Sequence, residues 1–228
     1  MKKKMFKIAV LLLTAVCGYS QVSWNVKAGM NVSKITNYHA DSDMKPGYQF
    51  GVGMDYFFTD SWGIQPSLML VNKGVKIKRS INFEEMPDGY SSASPSVSFP
   101  YLPYNNLTEN RMYLEMPVML AYRVDLSNTL KLVFNGGGYI GYGIGGKTSV
   151  TYDNQDGSVE KHKGNTFDRS GSQRFDYGLG VGTALELKNR YTVNLFGEWG
   201  LTSAGTNIMT YHRKNANQTY GINIGYKF

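Results

Sequence analysis

Apolar and polar residues alternate strictly along residues 111–124. Every second residue is apolar, namely Met112, Leu114, Met116, Val118, Leu120, Tyr122 and Val124. The other positions hold Arg111, Tyr113, Glu115, Pro117, Met119, Ala121 and Arg123. A period of two is typical of a β-strand with one face in an apolar medium. The segment is long for a soluble core but suits a tilted strand across a bilayer, which needs about 9–11 residues in the hydrocarbon.

The same alternation along the rest of the chain predicts eight strands in all. They cover residues 24–33, 48–58, 62–78, 111–124, 130–144, 174–187, 191–202 and 220–228. Short turns at residues 59–61, 125–128 and 188–190 alternate with long connections. We therefore predict an all-β fold, an eight-stranded antiparallel up-and-down transmembrane β-barrel. Outer-membrane barrels have short periplasmic turns and long external loops, so both termini are expected in the periplasm.

The third predicted strand contains a change of phase. Apolar residues occupy even positions from Trp62 to Leu70 and then the odd positions Val75 and Ile77. Because a β-bulge inserts one extra residue and often contains glycine, we predict a bulge near Gly74.

The two strand faces differ in side-chain size, and this difference separates a membrane barrel from a soluble ligand-binding barrel. The less apolar face is rich in small residues, namely Gly51, Gly53, Gly141, Gly143, Gly178, Gly180, Gly182 and Ala184. Eight strands enclose a narrow interior, so this face is expected to line the lumen. The bulky face then contacts outer-membrane lipids, and aromatic residues at strand ends, such as Trp62 and Tyr191, predict interfacial girdles.

Charged residues recur on the face that is predicted to be internal. They are Lys27, Asp55, Glu115, Arg123, Lys131, Arg174, Asp176, Glu186 and Glu198. Charges in a narrow interior must be paired and hydrogen-bonded, because burying them alone is very costly. We predict a salt-bridged plug that fills the barrel, and a narrow proton or ion path is the alternative.

The N-terminus has the features of a secretory signal peptide. Lysines at positions 2–4 precede an apolar stretch at residues 5–16, and Gly18 and Ser20 are small. Cleavage after residue 20 would leave residues 21–228 as the barrel domain. Lipidation of Cys17 is the alternative, although Val16 is large for the position before a lipoprotein cysteine. Since Cys17 is the single cysteine, the mature chain is expected to lack disulfides.

The charge balance indicates no nucleic-acid partner. The chain has 24 Lys and Arg against 17 Asp and Glu, and four of the lysines lie in the expected signal peptide, which leaves 20 − 17, or +3. These charges are dispersed, whereas nucleic-acid binding requires a clustered basic face. His39, His162 and His212 fall in separate loops without a metal-ligand spacing, so we expect no metal site and no cofactor.

The longest connection, residues 79–110, is the best candidate for contacts with a partner. It contains four prolines and the aromatic residues Phe83, Tyr90, Phe99, Tyr101 and Tyr104. Such rigid amphipathic surface favours recognition, and a hairpin extension without a ligand is the alternative. No Gly-x-Ser-x-Gly motif is present, so we expect a protein that is not an enzyme. A lipid-modifying enzyme and a narrow transport component are the alternative functions.

Two short motifs carry a family resemblance. Residues 113–122, Tyr-Leu-Glu-Met-Pro-Val-Met-Leu-Ala-Tyr, resemble the Tyr-x-Glu-x-Pro-x-x-x-x-Tyr strand of PorT-type outer-membrane β-barrel proteins of Bacteroidetes, and Lys-Ala-Gly-Met-Asn at residues 27–31 is similar too. The resemblance implies the barrel fold, the outer membrane, and secretion or envelope proteins as possible partners. The alternating C-terminus that ends in Phe228 resembles the signal recognised by the barrel-assembly machinery.

Overall fold

The computed structural model describes residues 22–36, 42–78, 106–153, 159–168, 173–202 and 216–228. The expected signal peptide, residues 1–20, lies outside this range. The described strands are β1 (Val22–Ile35), β2 (Ser42–Asp43), β3 (Lys45–Phe57), β4 (Trp62–Lys78), β5 (Asn106–Asp125), β6 (Leu130–Gly145), β7 (Lys147–Asp153), β8 (Val159–Asn165), β9 (Phe175–Leu187), β10 (Tyr191–Gly200) and β11 (Asn217–Lys227). A 3-10 helix covers Thr166–Asp168.

Eight of these strands form a closed barrel. They pair antiparallel in the order β1, β3, β4, β5, β6, β9, β10 and β11, and β11 pairs with β1 to close the ring. At this closing seam Met30 lies opposite Ile222 and Val26 lies opposite Tyr226. The eight-stranded up-and-down barrel that the alternation predicted is therefore confirmed.

The lipid-facing and luminal sides are the ones that side-chain size predicted. Leu114, Ile140 and Val193 are 41%, 46% and 44% exposed on the outer surface, whereas Ala121 and Val133 are 0% and 2% exposed inside. Bulky apolar side chains on the outside and small or polar ones inside are the distribution that a bilayer requires. In the described part of the chain, no helix is long and apolar enough to cross a membrane.

Aromatic side chains form contacts at both ends of the barrel. At the short-turn end, the rings of Trp62 and Tyr122 lie 4.9 Å apart, and those of Tyr191 and Tyr226 lie 5.5 Å apart. At the long-loop end, Trp199 donates a hydrogen bond of 3.2 Å to the Tyr220 hydroxyl. Such amphipathic rings suit the two membrane interfaces.

The predicted bulge near Gly74 is wrong. Lys73 lies opposite Arg111 and Gly74 opposite Asn110 in an unbroken β4–β5 register, so β4 contains no extra residue. On the other side of β4 the register shifts by one residue between Gln49 opposite Val71 and Asp43 opposite Lys76, so the extra residue lies in the β2–β3 segment. Val75 is fully buried on the luminal side of the sheet. The odd-numbered residues of β4 point inwards from the start of the strand to Val75. Apolar residues move from the even to the odd positions because the medium outside the strand becomes polar above the hydrocarbon.

A hairpin occupies part of the long connection between the strands predicted at residues 130–144 and 174–187. Strand β7 pairs with β8 and also with the first residues of β5, so the sheet extends beyond the barrel. We call this extension the wing; it comprises residues 74–78 of β4, residues 106–111 of β5, and strands β7 and β8. The β8 sequence, Val-Glu-Lys-His-Lys-Gly-Asn, has no alternating apolar residues, so it forms a strand through its pairing with β7.

Candidate functional site: the charged interior of the barrel

Lys73 of β4 is the centre of a charged cluster inside the barrel. Its Nζ atom lies 2.6 Å from Glu115 Oε1, 3.1 Å from Glu198 Oε2 and 3.8 Å from Asp176 Oδ2. The Lys73 side chain is fully buried and the three carboxylates are nearly so. Such an arrangement is strongly destabilised if the single cation is lost, because three buried negative charges would remain.

We call Lys73 and its three carboxylates the upper cluster. Neutral groups complete its surroundings. The Asp176 carboxylate accepts hydrogen bonds from Thr202 Oγ1 at 2.7 Å and Asn217 Nδ2 at 3.0 Å, and from the Tyr139 hydroxyl at 3.4 Å. The Lys73 ammonium lies 4.5 Å from the centre of the Tyr139 ring. These donors and the ring face offset part of the cost of removing the charges from water.

A second buried ion pair lies nearer the long-loop end. Arg111 Nη2 lies 2.9 Å from Glu109 Oε1, and Arg111 Nε donates to the same oxygen at 3.0 Å. Both side chains are buried, and they belong to the luminal face of β5, two residues apart. A bound guanidinium of this kind is held rigidly, because two of its donors meet one carboxylate.

A lower charged cluster lies towards the short turns. Lys227 Nζ is 2.6 Å from both Asp55 Oδ2 and Glu186 Oε2. Asn25 and Gln65 each donate a hydrogen bond of 3.1 Å to Asp55 Oδ1. The lower cluster thus joins side chains from β11, β3, β9, β1 and β4.

Small polar cavities lie between the charged layers. One of about 60 Å³ is lined by Glu115, Glu198 and Lys27, and one of about 30 Å³ is lined by Lys27 and the lower cluster. Lys27 donates to Ser67 Oγ at 3.1 Å. A polar space of this size holds one to a few water molecules. These cavities therefore suit trapped water rather than a passing solute.

Apolar side chains cover the two ends of the lumen. At the short-turn end, Phe57, Ala121, Val133 and Ala184 form a buried cluster. At the long-loop end, the 3-10 helix places the Phe167 ring in an edge contact with Tyr113, with ring centres 5.8 Å apart. A Cβ atom at Gly143 would overlap the Phe167 ring, so the glycine makes room for this covering residue.

Six of the nine charged residues predicted to be internal lie in the lumen. They are Lys27, Asp55, Glu115, Asp176, Glu186 and Glu198. The other three lie at the barrel ends. Arg123 stacks over Phe57 and donates to Asp60 O, Lys131 is 3.8 Å from the exposed Asp125, and the partly exposed Arg174 is 3.8 Å from Asp168.

Among the described residues, five buried charged residues were missed by the sequence reasoning: Lys45, Lys73, Glu109, Arg111 and Lys227. The alternation contains the signal for Lys227, because it lies between the outward Tyr226 and Phe228. It also contains the signal for Lys73, which continues the odd-numbered inward set of β4. The mistaken bulge broke that set and concealed the lysine at the centre of the upper cluster.

Most of the loop residues considered as candidates for binding or metal ligation lie outside the described part of the chain. The aromatic loop residues Phe83, Tyr90, Phe99, Tyr101 and Tyr104 lie outside the described residues, as do His39 and His212. His162 is exposed on β8. Within the described ranges, no group of three His, Cys, Asp or Glu side chains is placed to hold a metal ion.

This geometry defines a class of protein, a transmembrane β-barrel with a filled lumen. A family model described as "Outer membrane protein beta-barrel domain" matches residues 15–204. The chain belongs to this family and is an outer-membrane β-barrel protein.

Ail, NspA and OprG are among the solved structures that resemble this chain. The attachment invasion locus protein Ail of Yersinia pestis is 13% identical, with 91% of this chain and 97% of Ail covered and a TM-score of 0.40. Neisserial surface protein A is 11% identical, with 92% and 98% covered and a TM-score of 0.42. OprG of Pseudomonas aeruginosa is 13% identical, with 92% and 98% covered and a TM-score of 0.44. No curated protein sequence matches the chain.

Proposed function

We propose that this protein is a non-enzymatic barrel with a closed lumen, which displays its long loops for binding or for scaffolding a membrane or secretion complex. The observation that supports the proposal is that ion pairs span the lumen from one side of the barrel to the other. Lys73 on β4 meets Glu198 on β10, and in the ring order these strands lie opposite each other. An ion pair across the diameter occupies the space that a pore would need.

The lower cluster supports the same proposal. Asp55 on β3 and Glu186 on β9 are also on opposite sides of the ring, and Lys227 bridges them. Two charged bridges lie at different heights with apolar side chains beyond them, and the cavities found between them in the described part of the barrel are small. The function of such a barrel then depends on what it presents outside the membrane.

The orientation and the partners belong to this proposal. With the short turns in the periplasm, both termini are periplasmic and the wing projects outside the cell. The exposed C-terminal Phe228, which pairs through its amide with Trp24 O, is then available to the barrel-assembly machinery before the seam closes. The motif at residues 113–122 supports a PorT-type protein of Bacteroidetes, which would make secretion or envelope proteins the partners of the loops.

Electrical recording in planar bilayers tests whether the lumen is closed. The wild-type protein is expected to add no single-channel steps. K73A/E115Q/D176N/E198A removes the pair across the diameter and leaves no carboxylate of the cluster without a cation, and it is expected to admit ions. The matched variant D125A/K131A removes a pair at the rim and is expected to stay closed. Reproducible steps from the wild type would favour the narrow transport component instead.

Two further measurements address the external role. Cross-linking in the native membrane from Phe83 or Tyr104, each replaced by a photoreactive residue, is expected to capture an envelope protein.

Mass spectrometry of outer-membrane glycolipid incubated with the protein is expected to show no change. A modified lipid would instead support the lipid-modifying enzyme.

A further inference from the structure

The outward face of the wing carries four lysines in adjacent cross-strand rows. Residues directly opposite each other in an antiparallel sheet point to the same face. One row contains Lys76, Thr108, Ser149 and Lys163, and the rows on either side contain Lys147 with Asn165 and Lys161 with Thr151. Asp43 lies opposite Lys76 at the edge of the middle row.

These rows continue the lipid-facing side of the barrel. On β4 and β5 the even-numbered residues point outwards, and Leu68 and Leu114 are exposed on that face. Further along the same face, the residues become Asn72, Asn110 and Thr108. The change from apolar to polar side chains marks the edge of the hydrocarbon, so the lysines lie just beyond it.

The opposite face of the wing is packed and fixes the direction of the lysines. Val75, Leu107 and Val150 are 0%, 6% and 5% exposed on that side. Successive side chains of a strand point to opposite faces, so the lysines must point away from the barrel axis. They therefore project over the membrane surface that surrounds the barrel.

Among the acidic residues whose side chains the structure describes, none forms an ion pair with the lysines on β7 and β8. Lys147, Lys161 and Lys163 are exposed and take part in none of the ion pairs found there. The neighbouring residues Thr108 and Thr151, which carry hydroxyl groups, are half-buried on the same face. Ammonium and hydroxyl donors together form a surface that suits phosphate oxygens.

We propose that the outward face of the wing binds the phosphate groups of anionic lipid headgroups in the adjacent leaflet. Lysines close to an anionic membrane surface are attracted to it, and each adds to the binding. The apolar belt below the wing fixes the depth of the barrel, so the lysines meet the headgroups without rearrangement. This contact would hold the wing, and the loops beside it, at a defined angle to the membrane.

Lysine footprinting in bilayers tests this proposal on the unaltered protein. The protein is reconstituted in phosphatidylcholine vesicles with or without lipid A, a phosphorylated glycolipid, and is acylated with an amine-reactive reagent. Lipid A is expected to slow the acylation of Lys147, Lys161 and Lys163 and to leave Lys188 at the short-turn end unchanged. Equal rates with and without lipid A at the three wing lysines would overturn the proposal.

Lipid binding by charge variants provides a second test. The variant K147Q/K163Q is expected to bind lipid A about tenfold or more weakly, as counted by native mass spectrometry. The control K188N/R190Q loses the same charge at the other rim and is expected to bind nearly as the wild type does. An unchanged affinity in K147Q/K163Q, or an equal loss in the control, would contradict a site on the wing.

Inorganic phosphate separates a headgroup site from a site for the free ion. In vesicles of phosphatidylcholine alone, phosphate is expected to leave the acylation of the wing lysines unchanged. Protection by phosphate equal to that by lipid A would assign the surface to the soluble ion and would overturn the membrane contact. Circular dichroism of K147Q/K163Q and K188N/R190Q is expected to show the strand content of the wild type.

Discussion

The Lys73 ammonium lies 2.6 Å from the Glu115 carboxylate, in a lumen where both side chains are almost completely buried. Glu198 and Asp176 approach the same ammonium from β10 and β9. The upper cluster thus connects four strands of the ring through one cation. Its integrity is therefore expected to determine both the stability of the barrel and the closure of the lumen.

Replacing Lys73 by methionine is expected to destabilise the barrel strongly. The change leaves three carboxylates without a cation, and removal of one partner from a buried ion pair costs about 3–5 kcal/mol. Denaturant unfolding from lipid vesicles measures this loss. Lys131→Met, which removes a rim ion pair with the exposed Asp125, is expected to cost less than about 1 kcal/mol.

Neutralising the carboxylates tests whether charge causes the loss in Lys73→Met. The combined variant K73M/E115Q/D176N/E198Q removes the buried charges together, and it is expected to recover most of the stability. If it proves as unstable as Lys73→Met alone, the packing of the lysine side chain, and not its charge, is what matters.

The last two residues are expected to have separable roles. Lys227 bridges two buried carboxylates, so Lys227→Met is expected to cost about 3–5 kcal/mol in refolded protein. Phe228 is largely exposed, with its ring 5.4 Å from that of Tyr226, so Phe228→Ala is expected to cost only about 1 kcal/mol. In cells, however, Phe228→Ala is expected to lower the amount of assembled barrel. Normal assembly of Phe228→Ala would remove the proposed role in recognition.

Gly143 is expected to be required for Phe167 to cover the barrel mouth. A methyl group at Gly143 would overlap the Phe167 ring, whereas one at Gly145 would have no neighbour within 4 Å. The next residue to Phe167, Thr166, is fully buried, so a cysteine placed there reports on the cover. Maleimide labelling of Thr166→Cys is expected to be slow, to accelerate with Gly143→Ala, and to stay slow with Gly145→Ala. Equal labelling in the two glycine variants would show that Phe167 does not depend on this space.

The barrel could be predicted from the sequence because the membrane imposes one simple rule on every strand. Leu114, Ile140 and Val193 follow the same alternation, and lipid contact makes the bulky side face outwards. The rule fails where the surroundings change. Beyond the hydrocarbon, Val75 is internal and Lys76 points outwards. There the apolar residues mark the inner face of the strand, and no longer the outer one.

The pairing of the interior could be predicted only in part. Alternation assigns a side chain to the lumen but does not give its height along the barrel axis. For this reason the alternation places Arg123 and Lys131 in the same set as the deeply buried Asp55. Partners depend on the ring order and on the register between strands. The meeting of Lys73 with Glu198, 125 positions later in the chain, follows from the closed barrel and from no local signal.

Photolabelling from the lipid tests the central claim, that the bulky face of each strand contacts the hydrocarbon and the charged face closes the lumen. The unaltered protein in vesicles is irradiated with phospholipids that carry a diazirine in the acyl chain, and labelled residues are mapped by mass spectrometry. Label is expected on Leu114, Ile140 and Val193, and not on Ala121 or Val133. Labelling of the second set in place of the first would contradict the account.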